Sequence, residues 1–278
     1  MAVRTLPAAA LAFDAVADAF DTRFGAWLSV AAQRRAVRAA LAEAFPAGSH
    51  VLEVGGGTGE DARWLAERGR RVLLTDASPA MVRIAAEKLA SVDATAVVAP
   101  AEELELLAEA REAAGEAAFD GAFSNFAALN CVPDLAPVAR GLARLVRPGG
   151  QALLVVFGTL CPGEVVVETL RGRRRSAFRR LARGDVPARL GGREFVVRYH
   201  RAADIEGAMR PWFRLVRRVG IGIFVPPSAA EPWISSRPRL LAALESIDRA
   251  VSRPLARLGD HVLYQFERTD AAIDGTDS

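Results

Sequence analysis

The sequence predicts an α/β fold, a parallel sheet covered on both faces by helices, and two observations carry that prediction. Between residues 50 and 157, short β-branched runs alternate with longer amphipathic segments, the pattern of right-handed βαβ units. The first run leads straight into glycines, Val51-Leu-Glu-Val-Gly-Gly-Gly-Thr-Gly59, a strand-to-helix turn in which the backbone bends tightly and a ligand can approach closely.

The elements follow in order. Residues 8–45 place Phe13, Phe20, Phe24, Trp27 and Leu28 at roughly helical spacing, which predicts one or two amphipathic helices. Strands are expected at 50–54, 71–75, 94–98, 120–124 and 151–157, with helices at 59–68, 79–91, 101–115 and 134–146. Pro148-Gly149-Gly150 ends the last of these helices and launches the fifth strand. Residues 158–205 break the alternation with an arginine-rich stretch and one expected strand at 194–199. A helix at 202–209, a strand at 213–219, a helix at 238–251 and a final strand at 261–267 follow. The acidic, small-residue tail 270–278 is expected to be disordered, and no internal repeat is present. The divisions expected are a helical cover (1–45), a ligand-binding core (46–157), a lid or acceptor-binding insertion (158–205), a completion of the sheet (206–269) and the tail.

Composition narrows the function classes. In 278 residues, 51% are apolar and 25% charged, the balance of a globular protein with a core. Cys131 and Cys161 are too few for a disulfide framework and are not spaced as metal ligands, so no metal is expected. Asp14, Asp18 and Asp21 interrupt the N-terminal apolar stretches, which leaves neither a signal-peptide core nor a membrane span. The chain reads as cytoplasmic. Its net charge is +3, and Lys88 is its only lysine.

The glycine turn discriminates among cofactors. A dinucleotide site calls for G-x-G-x-x-G, but Gly55, Gly57 and Gly59 give G-x-G-x-G, and Glu60 follows. An acid there is electrostatically wrong for a pyrophosphate. S-adenosylmethionine (SAM) has no phosphate and carries an ammonium, which Glu53, at the end of the first strand, is placed to favour. No G-K-[ST] follows, which excludes a P-loop. The second strand ends in Thr75-Asp76-Ala77-Ser78, about 20 residues after the glycines. Asp76 there can accept from both ribose hydroxyls, or it can simply cap the next helix. Met81 can lie against an adenine face.

The segments 51–59, 74–81, 119–130 and 145–157 resemble the successive motifs of the class I SAM-dependent methyltransferases. They are most similar to the small-molecule branch that includes quinone-biosynthesis C-methyltransferases and malonyl-carrier-protein O-methyltransferases. The resemblance covers residues 10–157 and, more loosely, the final strands. It implies a Rossmann-like, seven-stranded, mostly parallel sheet whose last strand inserts antiparallel beside the fifth. It also implies that Glu53, Gly55, Gly57 and Asp76 contact SAM, with S-adenosylhomocysteine as the coproduct, and Gly56, Gly59, Ala77, Ser78 and Met81 are expected around the same cofactor. Relatives place an acid after the third strand, in a pattern like G-D-A-E-D-L. Here the stretch is Ala99-Pro100-Ala101-Glu102-Glu103-Leu104, so proline replaces the acid and the adenine edge falls to Ala101 and Glu102. Asn125 and Phe126 are expected at the methionine end, and Phe20 where relatives often carry Tyr-Asp. Asn130 either meets the acceptor or caps the helix near Pro133.

Methyl transfer from a sulfonium needs alignment and exclusion of water more than a strongly signed catalytic group. If a general base is used, His200 with its neighbour Tyr199 is the candidate, ahead of His261. Seven arginines lie between 171 and 183 with no acid among them. Beyond a solvated face, Arg173 and Arg174 could meet an anionic acceptor, a carrier protein or an anionic lipid surface. The scarcity of stacking aromatics speaks against nucleic acid. The expected function is methyl transfer to a small, hydrophobic or carrier-bound acceptor. The alternatives are a non-catalytic SAM-binding protein and a methyltransferase acting on RNA or protein. The oligomeric state is not readable from the sequence.

Overall fold

The computed structural model describes residues 6–25 and 27–273; the Phe24 side chain and the last five residues of the expected tail lie outside the described residues. Three helices, α1 (Ala8–Asp14), α2 (Ala17–Gly25) and α3 (Leu28–Ala44), precede the sheet, where one or two were expected. Strands β1 (His50–Val54), β2 (Arg71–Asp76), β3 (Ala94–Val98), β4 (Phe119–Ser124) and β5 (Val146–Phe157) then alternate with helices. These are α4 (Glu60–Ala66), α5 (Pro79–Leu89), α6 (Leu104–Ala113) and α7 (Ala136–Leu145). The insertion holds α8 (Pro162–Leu170), α9 (Arg174–Ala177) and a separate hairpin of β6 (Asp185–Leu190) and β7 (Arg193–Arg198). The chain finishes with α10 (Ala202–Met209), β8 (Phe213–Ile221), α11 (Pro238–Val251) and β9 (His261–Arg268).

The main sheet has seven strands in the order β3-β2-β1-β4-β5-β9-β8. β1 to β5 pair in parallel, whereas β9 runs antiparallel to both β5 and β8, with Phe157 opposite His261. The expected architecture is therefore the observed one, including the single reversed strand. Both faces are dry. α3, α4 and α5 bury Leu41, Leu65 and Leu89 on one side. α6, α7 and α10 bury Leu104, Leu142 and Ile205 on the other. That is why the central strands read as nearly continuous apolar runs.

The insertion departs most from expectation, since only one of its strands was anticipated. β6 contains Pro187, which speaks against a central strand, but a two-stranded ribbon is all edge and tolerates it. Gly191 and Gly192 join the strands with both φ values positive, 57° and 76°, as a two-residue hairpin requires. On β7, Phe195 packs against Phe13 (ring centroids 6.0 Å apart), which in turn meets Phe20 at 6.2 Å. The hairpin thus supports the N-terminal helices. At the other end, residues up to Ile273 stay on the molecule, where Ile273 packs against the core.

Candidate functional site

A cleft opens at the carboxyl ends of β1, β2 and β4, the edge where ligands bind in open α/β sheets, and α1 and α2 lie over it. Each strand delivers its residues through the loop that follows. Gly55, Gly56 and Gly57 come after β1, Asp76 and Ala77 from β2, Ala101 and Glu102 after β3, and Asn125 and Phe126 after β4; Met81 and Phe20 complete the wall.

The glycines differ in what they are for. A Cβ on Gly56 would come within 2.5 Å of the Leu74 side chain and 2.8 Å of the Glu53 carboxyl carbon. Gly57 has φ +56° and nothing within 4 Å of its missing side chain, so its open side is the cleft itself. Gly59 does not line the cleft. It stands at the start of α4 with φ 82°, where its backbone turns the chain into the helix.

Asp76 accepts from the Gly57 amide at 2.9 Å and the Ser78 amide at 2.8 Å, one through each carboxylate oxygen. It therefore ties the glycine turn to the end of β2 and keeps lone pairs for a ligand. Burial raises its pKa, and the Ser78 and Gly57 amides pull it back. The cap on α5 is Ser78, whose hydroxyl accepts from the Met81 amide at 3.2 Å and donates to Asp14 at 2.7 Å. Ser78 is fully buried there and does not line the cleft.

The floor of the cleft is acidic. Glu53 is buried, one of its oxygens has no partner, and burial with Asp61 beside it pushes its carboxyl well above the ordinary glutamate range. Asp61 accepts from Asn125 Nδ2 at 2.7 Å and from Arg38 Nε at 2.7 Å, which fixes Asn125 against α4. Arg34 of α3 also lines the cleft, stacked 4.9 Å over the Phe126 ring. Its Nε is buried without a hydrogen-bond partner, and its nearest acids, Glu60 and Asp61, stand off at 3.7 and 3.9 Å. Phe126 (φ 47°) and Ala127 (φ 61°) hold left-handed backbone conformations that non-glycine residues rarely adopt. Such strain gathers at functional sites.

The covering helices are latched by aspartates. Asp14 accepts from Ser78 and from the Ala80 amide at 2.8 Å, Asp18 pairs with Arg83, and Asp21 accepts from Thr58 at 2.6 Å and Lys88 at 2.8 Å. Burial acts to raise Asp21, but the Lys88 and Thr58 hydrogen bonds win and hold it below the ordinary aspartate range.

Other expected site residues lie elsewhere. Asn130 is buried, donating to the Arg198 carbonyl at 2.6 Å and accepting from the Phe157 amide at 2.9 Å, so it clasps β7 to β5 and does not face the cleft. His200 and Tyr199 line a separate cavity on the insertion side. Nε2 of His200 sits 3.2 and 2.9 Å from the carbonyls of Leu129 and Val132. Two acceptors require that nitrogen to donate, which gives His200 a structural contact in a cavity other than the cleft. Tyr199 is buried against Phe157. Arg173 and Arg174 are exposed and are not part of the cleft lining.

Within the arginine cluster, Arg180 turns inward. Buried at 6% exposure, it pairs with Asp260 at 2.6 Å and with Glu164, and donates to the Asp260 carbonyl. Cys161, Glu164 and Asp260 come together here, but the guanidinium supplies the cation, and burial and Asp260 push the Cys161 thiol up to about 12. Arg34, Asp61 and the aspartate latches are what sequence reasoning missed. The signals were Asp61 in the first turn of α4, where the helix dipole favours an acid, and Asp21 in the Phe20-Asp21 pair that stands where relatives often carry Tyr-Asp.

Residues 51–150 match the family described as "Methyltransferase domain". The chain is 32% identical over 154 residues to a malonyl-[acyl-carrier protein] O-methyltransferase from Serratia marcescens, a match covering 54% of each protein. It thus spans about half the length of the curated relative it matches. Among solved structures, an S-adenosylmethionine-dependent methyltransferase from Mesorhizobium loti superposes with TM-score 0.51 at 20% identity, covering 85% of this chain and 98% of that one. A TehB-like SAM-dependent methyltransferase from Corynebacterium glutamicum gives 0.53 at 15% identity, covering 91% and 98%. Residues 51–150 thus match a methyltransferase-domain family, and the chain has the fold of the SAM-dependent methyltransferases on which it superposes.

Proposed function

We propose that the chain transfers a methyl group from SAM to a small organic acceptor, releasing S-adenosylhomocysteine. The observation that carries this reading is the charge pattern of the cleft: Glu53 with one oxygen free of hydrogen bonds, Asp76 on the glycine turn, and the arginine Arg34, whose Nε makes no hydrogen bond. That donor set fits a ligand with an ammonium, a ribose diol and a single carboxylate, and Glu60 after the glycines disfavours a pyrophosphate.

In this reading Glu53 holds the ammonium, Asp76 accepts from the ribose hydroxyls, Arg34 pairs with the carboxylate, and Met81 with Ala101 flanks the adenine. Bound SAM supplies an electrophilic methyl on a sulfonium, whose charge is lost as the methyl leaves. The chain's own part is to align the acceptor and keep water out. Phe20 and Phe126 form an apolar wall for that purpose, and the Asp14 and Asp21 latches hold the cover shut over it.

The relative from Serratia marcescens acts, by its name, on a carrier-bound malonyl group, which supports a carrier-bound or hydrophobic acceptor with an anionic portion. Calorimetry with SAM followed by transfer of labelled methyl to lysate metabolites tests the reading. Label in a low-mass or carrier-bound product supports it. Binding without any labelled product, or label only in RNA or bulk protein, overturns it.

A further inference from the structure

The outward arginines of the insertion share their surface with apolar side chains. Leu170, Phe178 and Leu181 are exposed at 84%, 53% and 54%, among the most exposed large hydrophobic residues described. Exposed arginines surround them, and Arg174, Arg175 and Arg183 have no acidic partner among the described residues. The two acids of this stretch, Glu164 and Glu168, are both buried and face inward, where Arg179 and Arg180 meet Glu164 and Arg171 meets Glu168. Folding has therefore sorted the segment, hiding its negative charge and leaving an outer face that is basic and apolar. Beside it, Pro227 packs against Gly163 of α8, and the same loop region exposes Phe224 and Trp233 at 45% and 52%.

From this surface we infer that the insertion docks on an anionic phospholipid bilayer. Arginine together with exposed Leu and Phe is the composition that settles at the boundary between headgroups and acyl chains, where the charge meets anionic lipid and the apolar side chains enter the acyl edge. Among the described residues no helix is long and apolar enough to cross a membrane, so the contact is with the surface. Arg180, bonded to the Gly158 and Asp260 carbonyls, fixes the patch to the sheet edge that also bears the cleft.

The test is flotation of the full chain with phosphatidylcholine vesicles, with and without phosphatidylglycerol, and it reads binding independently of methyl transfer. Retention is expected to be at least roughly tenfold greater on the anionic vesicles and to fall with added salt. The double variants Arg174→Glu with Arg175→Glu, and Leu170→Ser with Phe178→Ser, should each lower it at least about threefold. All four positions are exposed, so thermal midpoint and SAM affinity should stay at wild-type values and confirm folding. Equal retention on both vesicle types, no retention, or retention untouched by both variants overturns the inference. Binding of a purified acyl carrier protein without vesicle binding would assign the face to a protein instead.

Discussion

Lys88, the only lysine in the chain, donates to Asp21 at 2.8 Å and so ties the covering helix α2 to α5. Thr58 of the glycine turn donates to the same carboxylate, which couples the cover to the loop that forms the cleft floor. Asp21→Asn should loosen that latch. With the Asp21 side chain 42% exposed, screening limits the loss to about 1 kcal/mol, or roughly a fivefold weaker SAM affinity. Calorimetry at low and high salt checks this, and the gap between variant and wild type should shrink as salt rises.

Neighbouring glycines should fail in different ways. In Gly56→Ala the new methyl meets Leu74, itself fully buried, so stability should fall by about 1–3 kcal/mol. In Gly57→Ala the methyl points into open cleft, at a left-handed backbone costing about 1–2 kcal/mol. SAM affinity should then fall at least tenfold although the protein remains folded. Thermal midpoints and calorimetric affinities for the two variants, read together, separate the effects.

Glu53 should make the free protein less stable as pH rises. Its folded pKa lies above the ordinary glutamate value because of burial and then Asp61. Between those two values the unfolded chain has released the proton and the folded one has not, so stability falls across that window and the full cost is present above it. A ligand ammonium beside Glu53 lowers its pKa again, so SAM binding should release protons and strengthen as pH rises through the same window. Calorimetry in two buffers of different ionisation enthalpy reads the proton release, and Glu53→Gln should abolish it.

Arg180 and Arg179 are adjacent in sequence and opposite in consequence. Arg180→Met leaves Asp260 buried without its arginine and Glu164 with Arg179 alone, which should cost about 3–5 kcal/mol. The Arg179 side chain is 49% exposed, and Arg179→Met should cost no more than about 1 kcal/mol. Urea denaturation of both variants decides the comparison.

His200→Gln should act on stability and not on ligand binding. Losing a buried ring that donates to two carbonyls costs about 1–3 kcal/mol, whereas SAM affinity should be unchanged because the residue lies outside the cleft. A variant that melted like wild type but lost methyl transfer would restore His200 to the chemistry.

The parts of the site that were legible are those in which neighbours in sequence are neighbours in space. The G-x-G-x-G turn, Asp76 about 20 residues later and Phe126 after β4 reach the cleft because each strand of a parallel sheet delivers its own loop to one edge. The hairpin of β6 and β7 had its signal in Gly191-Gly192, but Pro187 masked it, since sequence does not reveal that the ribbon stands apart from the main sheet.

By itself, then, the sequence determined the alternating sheet, the cofactor-type turn and the edge on which the cleft opens, all from local periodicity and local backbone geometry. Tertiary packing alone decided the rest. It brought Arg34 from α3 over Phe126, set Asp61 against Asn125, turned Arg180 inward while its neighbours faced out, and committed His200 to carbonyls 71 and 68 positions away. Each of those contacts joins residues far apart in the chain. The partner of a charged or polar side chain is chosen by which surfaces burial presses together, and no local pattern encodes that choice.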